Sequence, residues 1–285
     1  MATGNMKDIK RRIKSVGSTR QITKAMELVA SSKLRKAKQR SEAGRPYFES
    51  QYQLLSEIAS VKKDFTTVFT EPREIKNRLF IVIAGDRGLA GGFNTNIFKA
   101  VMTEHEKDEK KPKIIAIGRK AVDFFEKRGY EVVGKYPYFA EKARTADCGD
   151  IADIVVDMFR SGEADEVVLF YTAFISPLVQ NPEHIKLLPV TNFETGKGED
   201  LGLINYDPSP EAVFDRIVPK FLMSLIDCGV VESFASEQGA RRTAMESASD
   251  NADEMISSLS LLYNRARQEK ITNELTEIIS GANAL

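Results

Sequence analysis

The residues best suited to chemistry lie in one glycine-rich loop, Gly85 to Gly92, between a predicted strand and a predicted helix. The loop reads Gly-Asp-Arg-Gly-Leu-Ala-Gly-Gly, and a loop in this place can cradle a phosphate through backbone N–H groups. Its glycines follow the spacing Gly-x-x-Gly-x-x-Gly, which is neither the dinucleotide fingerprint nor an ATP loop ending in Gly-Lys-Ser/Thr. The spacing therefore favours a structural tight turn over a nucleotide site.

The histidines and cysteines do not form a recognisable reactive set. His105 and His184 lack the spacing of metal ligands. Cys148 and Cys228 are 80 residues apart with no Cys-x-x-Cys, which predicts two reduced thiols in a cytosolic protein. Asp150 follows Cys148 closely, and a role as a helix cap explains it. With no Ser-His-Asp or Cys-His arrangement, we expect no catalytic residues, no metal and no cofactor.

The middle of the chain, residues 75–200, alternates strand and helix signals. Strands are predicted at 78–84, 113–117, 130–134, 166–175 and 184–189, and helices at 94–109, 119–128 and 150–160. Strands that alternate with helices of this length indicate βαβ units and a largely parallel sheet. The middle is therefore predicted to be a Rossmann-like α/β domain, preceded by a polar linker at 62–75.

The two ends of the chain predict long helices, at 1–62 and 208–285. Apolar residues recur every three or four positions in the first helix, at Ile9, Ile13, Val16, Ile22, Met26, Val29, Leu34 and Ala37. The second helix begins with Ser209 as N-cap and Pro210 at its first position. Its apolar seam alternates spacings of three and four, at Met245, Ala248, Ala252, Met255, Leu259, Leu262 and Ala266. The predicted fold class is α/β plus a long antiparallel two-helix coiled coil.

Helix lengths predict an unpaired end. If the first helix ends near residue 57 and the second begins near 209, residue 5 lies opposite residue 261, and 262–285 lack a partner within the chain. The seam pattern slips after Ala266, close to that point. Within the first helix, Gly44 and Pro46 should kink the helix, because proline removes a donor and clashes with the preceding turn.

Charge is strongly asymmetric although the formal net charge is zero. Residues 1–45 hold 13 Lys and Arg against 3 Asp and Glu, which implies an acidic partner. A nucleic-acid-binding arm is one reading, but no aromatic residue precedes Tyr47 to stack on bases. A solvated helix face and a collar for acidic protein loops are the other readings. The longest apolar run, from Val167 to Ile175, is too short to span a membrane, and the N-terminus lacks a signal peptide's apolar core.

Several segments closely resemble the gamma subunit of F-type ATP synthase. They are Lys-Ala-Met-Glu-Leu-Val-Ala (24–30) with Ser-Lys-Leu-Arg (32–35), the loop from Asp-Arg-Gly-Leu (86–89) to Asn94, Ala-Ser-Glu-Gln (235–238) through Arg241, and Ile-Thr-Asn-Glu-Leu-Thr-Glu-Ile-Ile-Ser-Gly-Ala-Asn-Ala (271–284). They occur in the family's order and cover both helices and the middle domain. The chain is therefore identified as resembling that family, in its bacterial form, over its whole length.

The resemblance implies a non-catalytic central rotor shaft that couples c-ring rotation and proton flow to conformational cycling of the catalytic beta subunits. Its coiled coil would lie inside a ring of three alpha and three beta subunits, and its globular foot would bind the epsilon subunit and the membrane c-ring. It would be peripheral, at the cytoplasmic face of the bacterial cell membrane. Chloroplast members carry an extra cysteine-bearing segment, whereas residues 190–209 contain no cysteine, so no redox switch is implied.

The resemblance also implies which residues contact partners. Met26 matches the rotor–beta contact, beside a basic collar made of Lys33, Arg35, Lys36, Lys38 and Arg40. Four positions match contacts with beta-subunit catch loops: Arg241, Gln268, Thr272 and Glu274. Tyr206 is a candidate for the c-ring contact. The five collar bases fall within eight residues, so they are expected to form a belt around the helix. The alternatives are a nucleic-acid-binding arm and an α/β enzyme that uses the glycine loop.

Overall fold

Two very long helices form the two ends of the described chain, and a smaller α/β part lies between them in the sequence. The computed structural model describes residues 6–60, 65–71, 73–106, 110–190 and 206–282. Its elements are α1 (Met6–Ser60), β1 (Arg78–Ile83), α2 (Phe93–His105), β2 (Lys113–Ile117), α3 (Arg119–Lys127), β3 (Val132–Tyr136), a 3₁₀ turn (Thr145–Cys148), α4 (Gly149–Arg160), β4 (Glu166–Phe174), β5 (Gln180–Leu188) and α5 (Pro210–Ala282). Every predicted helix and strand is present, with ends shifted by a few residues.

The five strands form one sheet in the order β3-β2-β1-β4-β5. The first four are parallel, and β5 pairs antiparallel with β4. This arrangement confirms the predicted parallel-rich, Rossmann-like α/β fold. The strand order changes direction at β1, which has β2 on one side and β4 on the other, as in doubly wound sheets.

Each face of the sheet has its own core because side chains alternate along a strand. On β1, Leu79, Ile81 and Ile83 face a core that is completed by α4, the end of α1 and the beginning of α5. Phe80 and Val82 face the opposite core, which α2 and α3 cover. The sheet is therefore buried on both sides, and the long helices contribute directly to one of its two cores.

Helix α1 continues through Gly44 and Pro46, and the kink expected at these residues stays a prediction. It continues as one α-helix to Ser60. A proline inside a helix costs ~3 kcal/mol or more, chiefly through a lost hydrogen bond and a clash with the preceding turn. Residues 41–47 are all exposed, so water can hydrate the backbone carbonyl that loses its donor. Packing resumes after this stretch, where Gln51 accepts a 2.7 Å hydrogen bond from Ser224 on α5.

The segment predicted as a polar linker is packed in its described part. Phe69 is fully buried and stacks on Phe159 of α4, with ring centroids 6.2 Å apart. The backbone N–H of Val190 donates to the Phe69 carbonyl over 2.7 Å. Phe65 contacts Phe214 edge-on. The prediction of a polar linker was wrong, because two phenylalanines among polar neighbours are enough to hold this segment on the core.

The predicted helix caps give one success and one error. The Ala212 N–H donates to Ser209 Oγ over 3.2 Å, which confirms the start of α5. Asp150 does not cap α4, whose N-cap residue makes no side-chain hydrogen bond. Asp147 caps the 3₁₀ turn that precedes α4, because its carboxylate accepts from the Arg144 N–H at 2.7 Å. Asp150 instead lies in the first turn of α4, where a negative charge complements the helix dipole.

The chain divides into two compact units, and each takes a part of both long helices. One comprises Met1–Ala30 with Arg241–Leu285, and the other Ser31–Ala240. The first is a helical pair and the second contains the sheet. The boundaries predicted from sequence, 1–62, 75–200 and 208–285, follow whole elements rather than compact units, and they stay a prediction.

Candidate functional site

The helical pair is held in a defined antiparallel register by polar contacts. Thr23 Oγ1 and Ser249 Oγ are 2.7 Å apart and buried. One turn away, the Arg20 guanidinium pairs with the Asp253 carboxylate at 2.9 Å. By this register Met6 lies level with Ala266. The predicted register, residue 5 opposite 261, was wrong by about six residues, because it assumed that the two helices end level and that the first ends near 57.

The seam of α5 agrees with the prediction at Ala248 and at every seventh residue from Met245, and it differs at Met255 and Leu262. Met245, Ala252, Leu259 and Ala266 are buried or half-buried. Met255 and Leu262 are 54% and 53% exposed, and the half-buried residues are their neighbours Ile256 and Tyr263. A seam through Met255 and Leu262 and a seam through Ile256 and Tyr263 both satisfy spacings of three and four residues. The partner helix decides between them, since Thr23 requires Ser249 to face it.

The first helix departs from its predicted stripe for the same reason. Ile22 and Val29 are 60% and 56% exposed, whereas Thr23, Glu27 and Ala30 are buried. An apolar stripe does not count polar residues, so it missed this part of the seam. Glu27 pairs with Lys24 at 3.0 Å. Ile22 and Val29, which the seam leaves out, are thus exposed on the helical pair. Met255 is exposed as well and lines an open groove of about 500 Å³.

The end of α5 is exposed throughout. Ala266 is the last half-buried residue, and every residue from 267 to 280 is exposed. This stretch carries four large apolar side chains: Ile271 at 48%, Leu275 at 54%, Ile278 at 68% and Ile279 at 59% exposure. The unpaired end therefore begins about five residues later than predicted, in line with the corrected register.

The five predicted collar bases do not form a belt. Lys33 pairs with Glu141 at 2.6 Å, Lys38 lies over the Phe174 ring at 4.6 Å, and Arg40 pairs with Asp227. Arg35 and Lys36 are exposed. The expectation of a belt was wrong because three of the bases hold α1 against the α/β part.

Five of the other predicted contact residues fall in the same compact unit, the helical pair with its unpaired end. Met26 is half-buried and Arg241 is 9% exposed, both in the helical pair. Gln268, Thr272 and Glu274 are exposed on the unpaired end, where Glu274 pairs with Lys270 at 3.5 Å. These residues are therefore spread along the two long helices, with Met26 on α1 and the other four on α5.

Tyr206, the candidate for the c-ring contact, belongs to the unit that contains the sheet. It is half-buried and packs at the edge of the main core. Burial, with a smaller contribution from the nearby Glu57 carboxylate, raises the pKa of its phenol. Tyr206 is therefore neutral at physiological pH and offers a partner a ring edge and a hydroxyl.

The glycine-rich loop is filled by the protein's own side chains. It lies at the carboxyl end of β1, where doubly wound folds commonly bind ligands. Asn94 accepts from the Gly85 N–H at 2.8 Å. A Cβ at Gly85 would lie 2.9 Å from the Glu237 carboxyl group of α5. Ala90 and Phe93 pack on Ala240 of the same helix. These contacts support the reading of the loop as a structural turn that seats α5.

Asp86 is a structural residue that the sequence analysis did not single out. Its Oδ1 accepts from the Arg119 N–H at 2.8 Å and from the Tyr138 N–H at 2.6 Å, so one carboxylate joins three loops. Tyr138 has a left-handed backbone, φ 59°, which the second of these bonds helps to hold. An Asp in the loop that follows a buried strand, three residues after the end of β1, was the available signal.

Metal and membrane features are absent from the described part of the chain. Across residues 6–60, 65–71, 73–106, 110–190 and 206–282, no group of three or more His, Cys, Asp or Glu side chains is arranged to hold a metal ion. In the same ranges, none of the helices is long and apolar enough to cross a membrane.

Comparison with known proteins gives a consistent picture over the full chain. The family model described as ATP synthase matches residues 5–285. The ATP synthase gamma chain of Ruminococcus albus is 53% identical over 281 residues, covering 98% of both chains. The sodium ion specific ATP synthase gamma chain of Acetobacterium woodii is 42% identical, covering 99% of both.

Solved structures share the fold. A chain of the Euglena gracilis mitochondrial ATP synthase, in a structure of OSCP/F1/c-ring in rotational state 3, matches with a TM-score of 0.71 at 21% identity. The match covers 99% of this chain and 95% of that one. A chain of the Tetrahymena thermophila mitochondrial ATP synthase central stalk/c-ring matches with a TM-score of 0.62 at 23% identity, over 80% and 99% of the two chains.

Proposed function

Because the chain belongs to the family of ATP synthase gamma chains, we propose that its helical pair is the shaft and its α/β part the foot of the central rotor. The chain functions as the gamma chain of an ATP synthase, the rotor that couples ion flow to the catalytic cycle. A gamma chain has no nucleotide chemistry of its own in this reading. The filled glycine loop, with Glu237 beside Gly85, supports a non-catalytic subunit.

The observation that carries the proposal is the exposed apolar end of α5. Residues 267–280 present four large aliphatic side chains to solvent. Fully burying such a side chain contributes ~1.5–3 kcal/mol, and an isolated helix of this length is only marginally stable in water. A surrounding partner would both stabilise this helix and bury its apolar side chains. The alpha and beta subunits, arranged as a ring, would supply such a sleeve.

We assign the partner contacts along the same axis. Met26, Arg241, Gln268, Thr272 and Glu274 would meet the alpha and beta subunits, since all five lie on the helical pair or its unpaired end. Arg241 differs from the others because it is already buried within the chain.

The collar residues receive separate roles. Arg35 and Lys36 are exposed and would face acidic loops of the catalytic subunits. Lys33 would contribute less, because Glu141 already neutralises it at 2.6 Å. Exposed ion pairs are worth only ~0.2–1 kcal/mol each, so no single collar charge should be essential.

The α/β part would bind the epsilon subunit and the c-ring, with Tyr206 near the latter contact. The described helices include none that could cross a membrane. We therefore propose a peripheral position at the cytoplasmic face of the bacterial cell membrane, through the c-ring rather than by insertion, and no contact with nucleic acid.

Rotation of the assembled complex tests this function. The chain carrying Lys127→Cys would be co-expressed with the alpha and beta subunits of the same organism, and a bead would be attached to the exposed position on α3. We expect the three subunits to co-purify and the bead to rotate in one direction when ATP is added. ATP hydrolysis with a stationary bead, or failure of the chain to co-purify with alpha and beta, would show that the proposal is wrong.

A further inference from the structure

One carboxylate joins three segments of the unit that contains the sheet. Asp227 on α5 accepts from the Arg40 guanidinium on α1 and, at 2.8 Å, from Thr145 Oγ1 in the 3₁₀ turn. The same guanidinium also donates to the Ala143 carbonyl in the segment before that turn. We call these four residues the Asp227 junction. Its two charged side chains are 32% and 14% exposed, so it is a partly buried, multiply bonded pair rather than a surface contact.

The junction lies at a particular point of α1. Immediately after Arg40, residues 41–47 are all exposed and include Gly44 and Pro46. Glycine is flexible in a helix and proline removes a backbone hydrogen bond, so these two turns are the least rigid part of α1. A twisting load carried along α1 through this stretch would be absorbed as local deformation.

On the other side of Arg40, α1 is held firmly. Lys33, two turns earlier, pairs with Glu141 in the loop that also contains Ala143. Between them, Leu34 and Ala37 pack on Ala235 of α5. Small residues permit a close helix–helix approach, but an apolar contact of this kind resists sliding only weakly. A bidentate guanidinium with fixed geometry resists both sliding and rotation.

We propose that the Asp227 junction is where torque passes between the α/β part and helix α1, bypassing the weak turns at 41–47. This inference rests on the proposed rotor function. Arg40, Asp227 and Thr145 are positioning residues, since they act through the segments that they join. Their specific requirement is a planar donor that reaches two acceptors at once, the Ala143 carbonyl and the Asp227 carboxylate. Lysine at position 40 keeps the charge but cannot reproduce that fork.

Torsional stiffness of the assembled rotor is the quantity that distinguishes this role from simple stability. The bead on Lys127→Cys reports angular fluctuations of the α/β part while the catalytic ring is fixed to a surface and halted with a non-hydrolysable ATP analogue. The native thiols do not compete strongly for the label, because burial raises the pKa of Cys148 to about 12 and that of Cys228 to about 11. Thiols with such pKa values are almost entirely protonated near neutral pH.

We expect Arg40→Ala and Asp227→Ala to increase the variance of the bead angle roughly twofold, because separate contacts contribute additively and the Lys33–Glu141 connection remains. Arg40→Lys should restore only part of the stiffness, and Thr145→Val should have a smaller effect than either alanine. The matched control is Arg45→Ala, which removes an exposed pair with Glu49 on the same helix and should leave the variance at the wild-type value. Unloaded ATP hydrolysis should change little in all variants.

The outcomes separate the two proposals. If the wild-type bead does not rotate with ATP, the rotor function itself fails. If it rotates and Arg40→Ala is as stiff as wild type, the function stands and the junction does not transmit torque. Should both alanine variants fail to assemble, Arg40→Lys and Thr145→Val decide, since each removes one hydrogen bond without leaving a buried charge unpaired. Wild-type variance in both of these, or full rescue by lysine, overturns the inference.

Discussion

The buried pair of Thr23 and Ser249 offers the sharpest test of how the helical pair is held. The two hydroxyls are 2.7 Å apart, and each also lies within hydrogen-bond distance of a carbonyl in its own helix, Thr23 Oγ1 3.0 Å from the Arg20 carbonyl and Ser249 Oγ 2.9 Å from the Met245 carbonyl. Each hydroxyl has one proton, so one of the two donates across the pair and the other donates to its own helix. Ser249→Ala removes the cross-helix bond but leaves the Thr23 hydroxyl its local acceptor. The cost should therefore lie at the low end of the range for an unpaired buried group, about 1 kcal/mol.

A control is needed because alanine also favours the helix. The exposed Ser257 on α5 makes a matched reference, since Ser257→Ala reports the gain in helix propensity alone. Relative to that reference, Ser249→Ala should speed amide exchange in residues 245–252 about fivefold, since 1.4 kcal/mol corresponds to a factor of ten. Local exchange is the right assay, because a chain with two compact units need not unfold in one step.

The single variant Thr23→Val and the double variant Thr23→Val with Ser249→Ala complete a double-mutant cycle with Ser249→Ala. Removing both polar groups leaves no buried donor or acceptor without a partner, so exchange should return close to the rate of Ser257→Ala. A polar pair in a coiled-coil seam specifies register at some cost in stability. If the double variant exchanged as fast as the product of the two single effects, the hydroxyls would act independently and the cross-helix bond would contribute nothing.

Four further predictions concern the exposed end and the sheet unit. In the free subunit, residues 267–280 should exchange within seconds and become protected in the assembled complex; equal exchange in both states would contradict the sleeve. Gln268→Ala should lower ATP turnover of the complex without changing subunit stoichiometry. Wild-type turnover in this variant would show that Gln268 is an ordinary surface residue. Asp86→Ala should destabilise the sheet unit by ~0.5–1.5 kcal/mol in thermal unfolding, because two exposed backbone donors exchange their carboxylate acceptor for water. Burial raises the pKa of Glu232, and the nearby Glu183 carboxylate raises it further. The folded state therefore binds this proton more tightly than the unfolded state. The stability that this group contributes is lost as the pH rises through the raised pKa. Glu232→Gln should remove that loss, and an unchanged pH profile of the melting temperature would refute the assignment.

Element identity was accessible from local sequence because it depends on local patterns. The apolar runs of β1 and β4 and the capped start of α5 at Ser209 depend on neighbours a few residues away. The alternation of these elements was enough to predict the Rossmann-like sheet. The unpaired C-terminal end followed from helix lengths and from the slip after Ala266, although its first residue required the observed register.

Residue-level contacts depended on which side chains meet across the chain. The seam on α5 could follow Met255 or Ile256 equally well by spacing, and only the contact with Thr23 selects Ile256 and exposes Met255. The spacing of the basic residues of α1 predicted a belt of charge around the helix. In the structure, Lys33 and Arg40 instead form ion pairs within the chain. Sequence by itself determined the helices, the sheet and the family, because periodicity and motifs are local. Tertiary structure alone decided register, seam and charge pairing, because those are set by partners more than a hundred residues away.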